Sequence, residues 1–423
     1  MFDSSDALPP TQYSSRCCPA VSPPENGGAA SFPRTVGEVK RSATRIEGLG
    51  TTIFAEMSRL AVQTGSINLG QGFPDTDGPS WVMDAVTEAM RAGRNQYAPG
   101  HGVPELREAV ARHQDRYYGI ELDPDTQVAV TTGATEAVAA GLLGLVDPGD
   151  EVVVLEPYYD SYVAMLQMTG AVRRPVTLRA PDFRLPVDEF RAAVTGRTRM
   201  ILLNSPHNPT GAVLTRDELQ VVAELAVEHD LIVVADEVYE HLTFGVEHIP
   251  IATLPGMAER TLTISSAGKS FSFTGWKVGW ASGPQALVSA LLGAKQFMTY
   301  TSGAPFQPAI AQALDAAESI VEPLREALAA RCGQLCSGLE AIGFNVYRPD
   351  GTYFATADVR PLGFDDGLEF CRSLPERAGV VAVPHQVFYD DPDAGRPLVR
   401  WAFCKTEPVI AEALDRLSRL KRP

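Results

Sequence analysis

Lys269 closes a run of small residues, Ser265-Ser266-Ala267-Gly268-Lys269-Ser270, directly after the apolar stretch Thr261-Leu262-Thr263-Ile264. A second lysine, Lys277, follows beside Trp276. Small side chains let the backbone come close to a ligand, and a lysine on such a loop can be aimed and kept dry. Burial depresses an ammonium pKa, which is what an amine needs to act as a nucleophile or to form a Schiff base. The same tripeptide, Gly-Lys-Ser, also raises a phosphate-binding P-loop. That motif needs a glycine where this chain has Thr263, so its nest of backbone amides has no place to form. The acidic strand end at Asp236-Glu237 also precedes the lysine rather than following it, and nucleotide hydrolysis is set aside.

Asp236 ends the apolar run Leu231-Ile232-Val233-Val234-Ala235 and is followed by Tyr239. A carboxylate at the carboxyl end of a buried parallel strand points into the crevice where α/β folds bind ligands, although a lone strand-end Asp is as readily a cap. Upstream, Asn204-Ser205-Pro206-His207-Asn208-Pro209-Thr210-Gly211 follows another apolar run, Met200-Ile201-Leu202-Leu203, and taken alone it reads as an ordinary turn. Gly133-Ala134-Thr135 lies where a strand meets an apolar helix, as an anion site or a common junction. Lysine, aspartate, tyrosine and asparagine at consecutive strand ends together fit a pyridoxal phosphate (PLP) site.

These motifs stand in one order along the chain with Gly70-Gln71-Gly72-Phe73-Pro74-Asp75, Gln96-Tyr97, Glu156-Pro157-Tyr158-Tyr159-Asp160-Ser161-Tyr162 and Arg400-Trp401-Ala402-Phe403. As a set they resemble the class I/II aminotransferases of the aspartate aminotransferase fold. The subgroup they are most similar to holds kynurenine and glutamine transaminases, cysteine S-conjugate β-lyases and N-succinyldiaminopimelate aminotransferases. The resemblance spans roughly residues 45–420. It implies an α/β fold of type I, with Lys269 as the Schiff-base lysine and catalytic base, Asp236 at the pyridine nitrogen, and Asn208 and Tyr239 at the ring oxygen. It also implies that Ala134, Thr135, Ser266 and Lys277 hold the phosphate, with Tyr97 reaching it from the other subunit of a homodimer with shared active sites. Tyr158 would stack on the ring, a role its residue type alone does not separate from core packing. Arg400 would grip the substrate α-carboxylate, assisted by Gly72 and Asn208. The implied reaction moves an amino group from an α-amino acid to a 2-oxo acid through the Lys269 Schiff base and a ketimine. A C–S β-lyase acting on a cysteine S-conjugate in specialised, lincosamide-type antibiotic biosynthesis is the alternative, since the same constellation serves elimination.

The elements agree. Short apolar runs at residues 128–130, 152–155, 200–203, 231–235 and 262–264 alternate with helical periodicity, predicting a mostly parallel sheet covered on both faces. From Pro305 a long helical stretch leads to strands at 352–357, 380–383 and 398–403. The expected organisation is a disordered tail over residues 1–42, an arm over 43–74 joining the small domain, a large PLP-binding domain over 75–304 and a small domain over 305–423. The tail, rich in Pro, Ser, Gly and Ala, has too little apolar surface to offset its ordering entropy. A net charge of −16 argues against nucleic acid or an anionic membrane as partner. Six scattered cysteines, with Cys332 and Cys336 at helical spacing, suggest neither a disulfide framework nor a metal site, and suit a cytoplasmic enzyme.

Overall fold

The computed structural model describes residues 43–50 and 52–420. The central strands of its larger sheet are too uniformly apolar to leave either face in water. Seven strands take part: β1 (Val128–Thr131), β2 (Glu151–Glu156), β3 (Val172–Thr177), β4 (Thr198–Asn204), β5 (Ile232–Asp236), β6 (Thr261–Ser266) and β7 (Gly279–Ser282). They lie in the order β1-β7-β6-β5-β4-β2-β3, parallel except that β7 runs against both of its neighbours. Successive residues point to opposite faces, so Val153, Ile201, Leu203, Val233 and Ala235 enter one apolar cluster. Val152, Val154, Leu202, Val234 and Ile264 enter another. Helices cover both, which is why the strands show no polar alternation.

The register matters for the site. Asn204 stands opposite Asp236, and Asp236 opposite Ile264, so the carboxyl ends of β4, β5 and β6 finish at nearly one level. The helix α1 (Gly133–Leu145) starts just after β1 and brings its N-terminus to the same edge.

A second, antiparallel sheet has the order β10-β11-β9-β8, from β8 (Asn345–Tyr347), β9 (Phe354–Asp358), β10 (Val383–Pro384) and β11 (Leu398–Ala402). The 26-residue helix Ala317–Ile342 leads into it. The helix Ile53–Thr64, capped by Thr52 and stopped by Gly65 at φ 62, sends Met57 into the core that this sheet shares with Trp401 and Phe403. Ile67 and Asn68 then pair in parallel with Val380 and Val381, and the Ala402 amide donates to Leu69 O at 2.7 Å.

The anticipated runs all occur as strands, with one break: 380–383 divides into Val380–Val381, paired with the arm, and β10. β3, β7, β8 and the Ile67–Asn68 strand were not anticipated: β3 is an edge strand carrying Pro175 and two arginines, β7 is only Gly-Trp-Ala-Ser, and the other two are three and two residues long. The expected tail, with Cys17 and Cys18, lies outside the described residues. Among those residues the four cysteines are free and buried, and no helix is long and apolar enough to cross a membrane.

Candidate active site

Lys269 sits on the one-turn helix Ala267–Ser270 that begins as β6 ends. Its Nζ donates to the Tyr353 hydroxyl at 2.7 Å. Burial pushes its ammonium down to about 8, against the pull of Cys404 and Asp236. Asp236 is itself buried, and loss of water raises its carboxyl pKa even though the Tyr162 hydroxyl donates to it at 2.5 Å. Tyr239, one turn on, is buried, and desolvation pushes its phenol up as well.

Across the cleft, α1 carries no side-chain cap at Thr132, so its first-turn amides are left for a ligand, with Gly133, Ala134 and Thr135 at the cleft wall. Gly133 has φ +75, and the Lys277 amine lies 3.2 Å from where a Cβ on it would sit. Gly279 of β7 packs so tightly behind this turn that an added Cβ would come within 2.6 Å of the Gly133 carbonyl carbon. The Ser266 side of β6 completes a concave cradle of amides, hydroxyls and one ammonium.

Arg400 projects from the middle of β11 and is almost wholly buried. One terminal nitrogen donates to Asn208 Oδ1 and the other to Gly70 O, both at 2.9 Å, while the Phe354 ring lies 3.9 Å beneath the guanidinium. Each terminal nitrogen keeps one N–H, and Nε is buried with no partner, so donors remain for an anion. Asn208, its oxygen committed to Arg400, is left with its NH2 group. The arm segment that supplies Gly70 and Gly72 is held by Lys405, whose amine donates to Phe73 O at 2.8 Å and to Asp75 at 2.9 Å.

One cavity of about 370 Å³ therefore gathers Gly72, Ala134, Thr135, Asn208, Asp236, Tyr239, Ser266, Lys269, Lys277 and Arg400. Two expected residues are not among them. Tyr158 is turned into the core with its hydroxyl on Asp390, because the chain enters the helix Asp160–Thr169 at Tyr159, and it is Tyr159 that lines the cleft. This corrects the ring-stacking position expected of Tyr158. Tyr97 is 83 % exposed, outside the cleft, with its ring edge-on to Tyr300. The sequence assigns no role to Tyr162, Tyr353 and Phe354, which touch Asp236, Lys269 and Arg400; as aromatic residues their type alone does not separate function from packing. Away from the cleft wall, His113 Nε2 and His241 Nε2 meet at 2.8 Å beside Glu240, whose oxygens are occupied by the Tyr118 and Ser265 hydroxyls.

The cleft wall holds three cations, Lys269, Lys277 and Arg400, against one carboxylate, Asp236. That excess suits a ligand set carrying a phosphate and a carboxylate, and the volume is that of a small-molecule site. PLP fits this donor set: an amide-rich cradle for its phosphate, a buried carboxylate for its ring nitrogen, and a dry lysine.

Comparison with known proteins agrees with the chemistry. Residues 64–417 match the family described as aminotransferase class I and II. The chain is a member of that family, a PLP-dependent aminotransferase. Among its relatives, a probable N-succinyldiaminopimelate aminotransferase of Mycobacterium tuberculosis is 52 % identical over 90 % of this chain and 99 % of its own. The methionine aminotransferase of Escherichia coli is 37 % identical over 89 % of this chain and 98 % of its own. The solved N-succinyldiaminopimelate aminotransferase of M. tuberculosis superposes with a TM-score of 0.88 over 90 % of this chain and all of that one, at 52 % identity.

Proposed function

We propose that this cleft transfers the amino group of an α-amino acid to a 2-oxo acid with Lys269 as the cofactor lysine and proton carrier. The observation that carries this reading is one cleft that brings together Lys269 and Asp236, at the ends of adjacent strands, and Arg400 from the second sheet. Bound PLP supplies an electron sink for the bond made labile at the substrate Cα. Asp236, kept dry and braced by Tyr162, holds the proton on the ring nitrogen. Lys269, with its pKa near 8, takes a proton from Cα and returns one on the cofactor side at neutral to mildly alkaline pH. Asn208 NH2 and the Tyr239 hydroxyl orient the ring oxygen, and Tyr159 supplies a flat face for the ring. Ala134, Thr135, Ser266 and Lys277 anchor the phosphate, and Arg400 with the Gly72 backbone orients the α-carboxylate.

We assign the substrate to α-amino acids whose side chain is met by Phe54, Phe73, Tyr159 and Phe354, since Arg400 is the one guanidinium lining the cleft among the described residues. N-succinyldiaminopimelate and methionine, named for the relatives above, and kynurenine, named for a mouse transaminase 37 % identical over 88 % of this chain, head the panel to be tried. The enzyme is taken as a cytoplasmic homodimer with Tyr97 completing the partner's phosphate site, its large domain spanning 75–304 and its small domain 305–423 with the arm 43–74. The test is to incubate the purified enzyme with the panel and 2-oxoglutarate. Stoichiometric glutamate and 2-oxo acid support the reading; release of ammonia and pyruvate from S-conjugates without exchange refutes it.

A further inference from the structure

We propose that Tyr353 is a positioning residue for the Lys269 amine, linking it to the arm that closes over the substrate carboxylate; this rests on the reading of Lys269 given above. The Lys269 amine donates to the Tyr353 hydroxyl at 2.7 Å, and that hydroxyl donates onward to the Gly72 carbonyl at 2.5 Å. Its single proton being given to Gly72, the phenol offers the amine a lone pair and nothing else. A neutral lysine amine has two N–H groups and one lone pair. With one N–H held by Tyr353, the lone pair is turned away from the phenol, leaving it free for a substrate proton. The Tyr239 ring stands edge-on to the Tyr353 ring, with centroids 5.3 Å apart, and packs against it.

The backbone is shaped to place this ring. Thr352, immediately before it, is buried with φ +67, a left-handed conformation that a β-branched residue adopts rarely. Its amide and side-chain oxygen are both engaged, with Leu242 O and the Phe354 amide. Consecutive residues therefore serve the two ends of the site, Tyr353 at Lys269 and Phe354 beneath Arg400. The arm mirrors this, with Gly72 O receiving Tyr353 and Gly70 O receiving Arg400. The arm segment is thus tied to the base and to the carboxylate-binding guanidinium through neighbouring carbonyls.

Tyr353→Phe keeps the ring and removes both hydrogen bonds. In the holoenzyme kcat should fall about 10–100-fold while KM stays within about threefold, and the primary isotope effect with an α-deuterated amino acid should rise. In the apoenzyme, Lys269 should react severalfold faster with trinitrobenzenesulfonate, located by peptide mass mapping, because its acceptor is gone. Amide exchange at Gly72 and Phe73 should also quicken. Unchanged kcat, isotope effect and labelling in a normally folded variant overturn the proposal and leave Tyr353 a packing residue. A wild-type enzyme with no exchange activity, or with its cofactor on another lysine, overturns the underlying reading instead.

Discussion

Arg400 is buried and still has donors to spare, and that combination sets its expected energetics. Desolvation lowers its pKa to about 10, yet it stays charged at neutral pH, so a substrate carboxylate meets a full cation in a water-poor cleft. Arg400→Ala should cost about 2–5 kcal/mol in kcat/KM for every amino acid alike, leaving the cofactor spectrum in place. Arg400→Lys should recover only part, since a point charge cannot supply two parallel hydrogen bonds. A specificity constant within a few-fold of wild type for all substrates contradicts the assignment. Lys269 gives the pH signature. Its pKa is lowered by burial, so the amine is neutral above about 8, whereas an ordinary lysine needs about 10.4. Labelling of Lys269 in the apoenzyme should therefore rise through pH 8 and level off while exposed lysines are still gaining reactivity. A rate still climbing above about pH 10 would place Lys269 among ordinary lysines.

At the scale of elements, the phosphate cradle depends on how closely β7 backs the start of α1. Gly279→Ala drives a methyl into the Gly133–Ala134 peptide, with contacts of 2.6 and 2.7 Å. Overpacking of this kind costs about 1–3 kcal/mol; if that strain falls on the bound state, PLP affinity should drop about 5- to 150-fold, read from equilibrium dialysis. Unaltered retention would mean that the turn tolerates displacement and does not hold the phosphate. The strand ends carrying Asn204, Asp236 and Ser266 were legible because an apolar run that stops at a polar residue marks both a buried strand and its exit. β7 was not, since a four-residue strand, Gly-Trp-Ala-Ser, is too short to show a pattern and owes its place to pairing with β1 and β6. Tyr158 and Tyr159 are chemically identical neighbours, and which one faces the cleft is decided by where the helix Asp160–Thr169 starts. Tyr353 was invisible for a related reason: its partners, Lys269 and Gly72, are 84 and 281 residues away in sequence.

For the whole molecule, the rings of Tyr97, Phe297 and Tyr300 are among the exposed aromatics, and the proposal places Tyr97 in a partner's site. Subunit mixing tests this: Lys269→Ala protein should be inactive and Tyr97→Ala protein should hold PLP poorly. Mixed dimers should regain one sound site, with Lys269 from one subunit and Tyr97 from the other. No gain on mixing, or full activity in a sedimenting monomer, contradicts the shared site. The central claim is more local, that this cleft is organised around a cofactor held on Lys269. Its most direct test is borohydride reduction of the PLP-loaded enzyme followed by peptide mass mapping. The pyridoxyl group should be found on Lys269 alone, and Lys269→Ala should lose both the label and turnover; a label on any other lysine, or turnover surviving in Lys269→Ala, contradicts the account.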